Sequence, residues 1–271
     1  MEFHKMHGLG NDFIVIDARH QDIDLAACNW QQMADRHSGI GCDQVLILGY
    51  DNDSSITASY LVKNADGSPA EQCGNGIRCL AMYLKNRGEV NSREFLLSGV
   101  AGNVRVQCLD NDTYRVNMGE PCFTPAEIPI QAVAEQGIYS IPVKNGNIRL
   151  GAVSIGNPHA IIIEDPGFDL RLGREISQHT VFPEGCNAGF VQVVGRNHIE
   201  LQVYERGTGP TRACGSGACA AVAVLRSTDR VDERVDVDQP GGRLVIEWRG
   251  IGNDLWMSGP AAYVFKGQTD L

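Results

Sequence analysis

Hydrophobic and polar positions alternate in short runs along most of this chain, and turn residues punctuate the runs. Runs of this length with a period of two, bounded by glycine, asparagine, aspartate or proline, predict strands. In the first half they fall at residues 13–17, 44–50, 56–62, 104–109 and 114–118. In the second half they fall at 148–155, 160–164, 190–194, 199–204, 234–237, 244–248 and 263–265. Turn signals such as Asp66-Gly67, Asn145-Gly146 and Pro240-Gly241-Gly242 separate them. Helical periodicity is rare. It covers residues 29–36 and 169–177, and two segments that open on glycine. In Gly74–Asn86, Ile77, Leu80, Ala81 and Leu84 share one face. The segment 215–225 is apolar all round, the pattern of a helix buried on every side.

The two glycine-opened helices follow segments that resemble each other: Glu71-Gln72-Cys73-Gly74-Asn75-Gly76 and Arg212-Ala213-Cys214-Gly215-Ser216-Gly217. At a displacement of 141 positions, Val62, Pro69, Cys73, Gly74, Gly76 and Leu84 meet Val203, Pro210, Cys214, Gly215, Gly217 and Leu225. Gly10-Asn11 likewise answers Gly156-Asn157, and Gly41-Cys42-Asp43 answers Gly185-Cys186-Asn187. The order of matches reads as a tandem duplication. The expected architecture is therefore α+β: two pseudo-symmetric domains, each a mainly antiparallel, barrel-like sheet wrapped around one central helix. Pro121 and Pro125 place the boundary near residue 117. The expected domains are 1–117 completed by 263–271, and 118–262.

Composition narrows the function. Hydrophobic residues make up 43% and charged residues 21% of the 271, as in globular proteins. The net charge of −10, without a basic patch, argues against nucleic acid or an anionic membrane as partner. The N-terminal residues carry no secretory signal pattern, and no apolar run is long enough to span a bilayer. A cytoplasmic location is expected. Nine cysteines are an odd number without a Cys-x-x-Cys pair, which fits reduced thiols better than a disulfide framework. No Cys/His set has zinc-ligand spacing, so no metal is expected.

The paired cysteines carry the chemistry. Glycines after Cys73 and Cys214 leave backbone N–H groups uncovered at a helix N-terminus, where donors and helix dipole favour an anion. The same field raises the thiolate fraction of a cysteine. Two such turns facing one another could hold an amino-acid carboxylate beside both sulfurs. A thiolate would then remove the α-proton and a thiol would protonate the opposite face. Two other readings compete: both cysteines as small buried residues at tight helix starts, or a pair that oxidises to a disulfide. Cys28, Cys42, Cys79, Cys108, Cys122, Cys186 and Cys219 sit in apolar or strand patterns and read as packing residues.

At these residues the chain resembles the diaminopimelate epimerases. The resemblance runs nearly end to end: 7–13 (His-Gly-Leu-Gly-Asn-Asp-Phe), 39–44 (Gly-Ile-Gly-Cys-Asp-Gln), 64–68 (Asn-Ala-Asp-Gly-Ser), 73–79 (Cys-Gly-Asn-Gly-Ile-Arg-Cys), 156–159 (Gly-Asn-Pro-His), 205–209 (Glu-Arg-Gly-Thr-Gly) and 213–218 (Ala-Cys-Gly-Ser-Gly-Ala). Ser216 stands where threonine is more usual and Pro210 where many members carry an acidic residue. Neither departure removes a reactive group. The resemblance implies two similar domains, a homodimer and no pyridoxal phosphate or other cofactor. It implies a small-molecule substrate, diaminopimelate, whose LL form is converted to meso in lysine and peptidoglycan precursor synthesis.

The resemblance also assigns His159 and Glu205 as acid/base helpers of Cys73 and Cys214. Aligned by the repeat they stand opposite Phe13 and Asn64, so both titratable helpers lie in the second half. The substrate-binding set is Asn11, Gln44, Asn64, Gly74, Asn75, Asn157, Asn187, Glu205, Arg206, Gly215 and Ser216. Arg206 is the candidate for the distal carboxylate, because its planar fork matches a carboxylate bidentately. Two rivals stay open: a two-cysteine racemase acting on proline or hydroxyproline, which gives Arg206 no distal carboxylate to grip, and a non-catalytic amino-acid or peptide binder with redox-sensitive thiols.

Overall fold

The computed structural model describes residues 1–70, 73–133, 137–163 and 167–270. Glu71 and Gln72 of the first cysteine segment, Glu164 of an expected strand and Leu271 lie outside the described residues. The chain divides into two compact units, Met1–Asn117 with Gly259–Leu271, and Met118–Ser258.

The first unit contains β1 (Glu2–Gly8), β2 (Asn11–Asp17), the short α1 (Trp30–Ala34), β3 (Gln44–Gly49), β4 (Ala58–Asn64), β5 (Pro69–Ala70), α2 (Gly74–Asn86), β6 (Glu94–Gly99), β7 (Gly102–Cys108) and β8 (Thr113–Asn117). The C-terminal strand Ala262–Gln268 pairs antiparallel with β1. From it the sheet runs through β1, β2, β3, β4, β6, β7 and β8. All of these neighbours are antiparallel except β2/β3 and β4/β6. Helix α2 packs against β1, β2 and the C-terminal strand at one end of the sheet and β8 at the other, so the sheet curls around it.

The second unit repeats that plan with β9 (Ile138–Val143), β10 (Gly146–Ser154), β11 (Pro158–Ile162), α3 (Leu170–Ser177), β12 (Asn187–Gly195), β13 (His198–Glu205), β14 (Gly209–Thr211), α4 (Gly215–Ser227), β15 (Arg234–Gln239), β16 (Gly242–Glu247) and the first three residues of β17 (Trp256–Pro260). Its sheet order is β9, β10, β11, β12, β13, β15, β16, β17. The parallel neighbours are again the third pair and the fifth, β11/β12 and β13/β15. Strand β18 (Ala262–Gln268) thus takes in the first unit the place that β9 takes in the second. Helix α4 packs on β10, β11, β12, β13 and β16.

The expected fold class holds, with local differences. Strands β1, β5, β6, β9, β14 and β17 were not predicted from the pattern. β5 and β14 are too short to show a period, and β1 offers only Phe3 and Met6 as apolar signals. Its His4 is nevertheless buried, with Nδ1 bonded to the Tyr263 hydroxyl at 3.0 Å. Helix α2 also departs from the one-faced stripe: every residue from Gly74 to Leu84 is buried, Arg78 included. The Arg78 Nε donates to the Pro260 carbonyl at 3.1 Å, which gives the buried cation one of its partners. Helix α4 is buried from Gly217 to Leu225, as its apolar composition demands.

Candidate active site

The duplicated segments become duplicated turns. Cys73 and Cys214 are the N-caps of α2 and α4, with extended backbone at φ −138°, ψ 101° and φ −116°, ψ 110°. Their carbonyls accept the first helical bonds, from Ile77 N at 2.9 Å and Ala218 N at 3.0 Å. The opening amides of each helix have no carbonyl of that helix to bond, the arrangement that receives an anion. The second glycine of each motif answers a packing need as well. A Cβ on Gly76 would lie 3.0 Å from a Leu46 methyl, and one on Gly217 would lie 3.2 Å from the Cys214 sulfur.

The sulfurs are held differently. Cys214 is buried, and its Sγ accepts from Gly217 N at 3.3 Å and lies 3.6 Å from the Ser216 hydroxyl. Cys73 is partly exposed, makes no side-chain capping bond to its helix, and its Sγ lies 3.9 Å from Asn11 Oδ1. All nine cysteines are thiols. Burial pushes Cys42 up to about 12 and Cys79 and Cys186 higher, which keeps these three protonated and inert.

Around Cys73 the expected binding residues connect to one another. Gly10, in the left-handed region at φ 87°, turns the chain so that Asn11 opens β2. Asn11 Nδ2 donates to Asp43 at 3.0 Å, and its Oδ1 accepts from Asn75 Nδ2 at 3.2 Å. Asp43 in turn accepts from Arg36 at 2.7 Å. Gln44 and Asn64 are register partners across β3 and β4, and their side chains meet at 2.9 Å. Asn64 also donates to the Ser68 hydroxyl at 3.1 Å.

The second unit builds the corresponding set. Gly156, at φ 80°, precedes Asn157 as Gly10 precedes Asn11. Asn157 Oδ1 lies 2.9 Å from His159 Nε2. That oxygen only accepts, so Nε2 carries the ring proton. Nδ1 then keeps its lone pair and has no partner among the described residues. His159 is fully buried, and burial first, then the positive charge of Arg206, holds its pKa down at about 3. Asn187 accepts from Arg206 N at 2.9 Å and donates to the Pro158 carbonyl. The Glu205 carboxylate accepts from the Thr211 hydroxyl. Arg206 is exposed, with one guanidinium nitrogen 2.8 Å from the Glu184 carbonyl.

Within the first unit the structure thus links Asn11 to Asn75 and Cys73, and Gln44 to Asn64. Within the second it links Asn157 to His159, Asn187 to Arg206, and Ser216 to Cys214. Sequence reasoning missed the residues that orient them. Asp43 lay inside a repeated motif, so the repeat could have pointed to it. Gln239, whose Oε1 accepts from Cys214 N at 2.8 Å, lay in no motif at all. Among the described residues one carboxylate–histidine grouping has metal-like spacing, Asp17, His20 and Glu89. Both of its carboxylates are already bonded to Arg19.

Comparison with known proteins places the chain in a family. A family profile described as diaminopimelate epimerase matches residues 3–124 and 151–264, which include both cysteine turns. A diaminopimelate epimerase of Alkalilimnicola ehrlichii is 46% identical over 276 aligned positions, covering 100% of this chain and 99% of that protein. Among solved structures, a hydroxyproline epimerase of Agrobacterium vitis, with trans-4-hydroxy-L-proline bound, superposes with a TM-score of 0.71 at 17% identity, over 98% of this chain and 91% of its own. A probable proline racemase of Agrobacterium radiobacter, with carbonate bound, reaches 0.73 at 15% identity, over 100% and 93%. These two share the fold. The profile and the full-length relative reach further, and on their agreement the chain belongs to the diaminopimelate epimerase family.

Proposed function

We propose that this protein is an isomerase that interconverts LL- and meso-2,6-diaminopimelate by inverting one α-carbon, without a cofactor, in lysine and peptidoglycan precursor synthesis. The observation that carries the reading is the pair of cysteine N-caps, each heading the central helix of a unit with the same strand order. Each unit supplies one of the two bases in this reading.

The α-carboxylate binds at the helix starts, on amides at Gly74, Asn75, Gly215 and Ser216. Charge that develops at the α-carbon and carboxylate during deprotonation is stabilised there by fixed dipoles. One cysteine, as thiolate, takes the α-proton, and the other, as thiol, donates its proton to the opposite face. The carbon inverts, and the two cysteines end with exchanged protonation states, ready for the reverse reaction. His159 and Glu205 restore the starting distribution. The neutral His159 ring presents an Nδ1 lone pair that can accept a hydrogen bond from a thiol and so orient its proton. Asn11, Gln44, Asn64, Asn157 and Asn187 fix the amino-acid end and the distal end through directional hydrogen bonds, and Arg206 grips the distal carboxylate.

The partner is thus a small molecule rather than nucleic acid or membrane, in keeping with the charge of −10. No helix among the described residues is long and apolar enough to cross a membrane. We place the enzyme in the cytoplasm, where thiols stay reduced. We place it in a homodimer, for which the exposed Tyr263, Val264 and Phe265 of β18 offer an apolar surface. Sedimentation of the purified protein tests the dimer.

The decisive experiment incubates LL- and meso-diaminopimelate with the protein in deuterated water, after exhaustive chelation and without pyridoxal phosphate. Interconversion with deuterium at the α-position supports the reading. Restoration of lost activity by a metal overturns the cofactor-independent scheme. Turnover of proline or hydroxyproline in place of diaminopimelate transfers the chain to the proline-type racemases. Absence of any exchange leaves it a binder.

A further inference from the structure

The side-chain amide of Asn11 has two ends of opposite polarity, and the one that faces Cys73 is its oxygen. Asn11 opens β2 behind the left-handed turn at Gly10, and its Oδ1 lies 3.9 Å from the Cys73 sulfur. A carbonyl oxygen accepts and never donates, so in this orientation it receives the proton of a thiol and offers nothing to a thiolate. Turned over, the same amide would present N–H donors to the sulfur and favour the thiolate. The sense of one amide therefore bears on the proton of Cys73.

A carboxylate sets that sense. Asp43 Oδ2 accepts from Asn11 Nδ2 at 3.0 Å and from the Asp12 backbone N–H at 3.1 Å, and Asp43 Oδ1 accepts from Arg36 at 2.7 Å. A carboxylate facing an amide only accepts, so the Asn11 nitrogen is turned to Asp43. The Asn11 oxygen is left for Cys73 and for the Asn75 side-chain amide at 3.2 Å. Asp43 is itself held. Its backbone N–H donates to Asp12 Oδ1 at 3.1 Å, and the Arg36 guanidinium also reaches Asp12 Oδ1 at 2.6 Å. Lys5 ties Asp12 at 2.5 Å and donates to the Gly41 carbonyl. The second unit arranges its groups otherwise. The Asn157 oxygen accepts from His159 Nε2 at 2.9 Å, and the Cys214 sulfur receives the Gly217 N–H at 3.3 Å. Of these contacts, that of Cys73 is to an acceptor and that of Cys214 is to a donor.

We propose that Asp43 is a positioning residue: by fixing the sense of the Asn11 amide it keeps the carbonyl oxygen, rather than the N–H donors, on Cys73 and so favours the thiol form of that cysteine. The inference rests on reading Cys73 as one of the two bases, and its test separates the two claims.

The experiment follows alkylation of Cys73 by iodoacetamide across the thiol titration range, with peptide mass mapping to separate Cys73 from the other cysteines. This readout needs no substrate. In Asp43→Asn the oxygen of the new amide must face Arg36, which only donates, and its nitrogen takes the place of Oδ2. Two nitrogen donors would then meet, so Asn11 turns over and brings its N–H groups to Cys73. The Cys73 midpoint should fall by about one pH unit or more, the weight of a hydrogen bond to a charged acceptor. Loss of a neighbouring negative charge would also lower the midpoint, so the comparison is repeated on Asn11→Leu, which has no amide to turn. In that background Asp43→Asn should shift the midpoint little. Asp53→Asn, the same change of charge at an exposed position of the same unit, should leave both midpoint and diaminopimelate turnover unchanged. An unchanged midpoint in folded Asp43→Asn overturns the proposal. So does an equal fall in the Asn11→Leu background, which marks an effect of charge alone. If Asp43→Asn does not fold, the Asn11 side-chain amide of the unmodified protein decides. Its NMR signals, identified by their loss in Asn11→Leu, should exchange slowly with solvent, and fast exchange overturns the proposal. Absence of diaminopimelate turnover by the unmodified protein, with the shift present, overturns the epimerase reading and leaves the control of Cys73 by Asp43 standing.

Discussion

Lowering the pH should weaken the second unit through one side chain, His159. Its ring is fully buried on β11, bonded through Nε2 to Asn157, with its pKa held at about 3. In the unfolded chain the same ring titrates near 6.5. The folded value lies below the unfolded one, so between them the unfolded state binds the extra proton. The stability gained by keeping the ring neutral is complete above about pH 6.5 and is lost as the pH falls towards 3. Each unit in that window costs about 1.4 kcal/mol. Moving from pH 7.5 to pH 5 should therefore cost about 2 kcal/mol through His159 alone. Other groups contribute over the same interval, among them His4, whose pKa is also lowered by burial, so the measurement must be a difference. His159→Gln has no charge to gain and keeps an amide N–H for Asn157. Urea unfolding of both proteins at the two pH values, followed by the fluorescence of the buried Trp248 of the second unit, supplies the numbers. The unmodified protein should lose about 2 kcal/mol more than the variant on going to pH 5. Equal losses would refute the argument, and so would a His159 NMR titration with a midpoint near 6.5.

Three further outcomes follow from the site. Cys73→Ser and Cys214→Ser should each lose at least about a hundredfold in epimerisation, because serine is a far weaker base at neutral pH; both should keep their unfolding midpoints, while Cys108→Ser and Cys122→Ser stay active. Gly217→Ala should leave stability within about 1 kcal/mol, since the helix preference for alanine offsets the crowding. Its added methyl sits 3.2 Å from the Cys214 sulfur, so turnover should fall at least about tenfold, and unchanged turnover would contradict the contact. Arg206→Lys keeps the charge but loses the fork; it should cost diaminopimelate roughly ten- to a hundredfold in kcat/KM and lysine little, so equal losses on both substrates would assign Arg206 a structural role.

The two cysteine turns, the two central helices and the duplication were legible in the residues, because each is written in local order. A Cys-Gly-x-Gly segment ahead of an apolar run specifies a helix start without reference to the rest of the chain. α4 could be placed in a core from its composition, since a helix with no polar face has nowhere else to go. Asn11, Gln44, Asn64, Asn157 and Asn187 stood out because they sit inside repeated or recognisable motifs. What the residues left open depends on partners far away in sequence. β1 has too few apolar positions to announce itself, and it becomes a strand because β2 and the last strand of the chain flank it. Arg78 breaks the polar rule for α2, and its bond to the Pro260 carbonyl, 182 residues on, is a contact that the segment itself does not announce. His159 could be named from its motif, but not its charge. That follows from complete burial beside Arg206, and desolvation is a property of the folded surroundings rather than of the segment. Gln239 carries no local signal whatever. Its place at the Cys214 amide is set by where the β15/β16 hairpin turns, 25 residues after the cysteine.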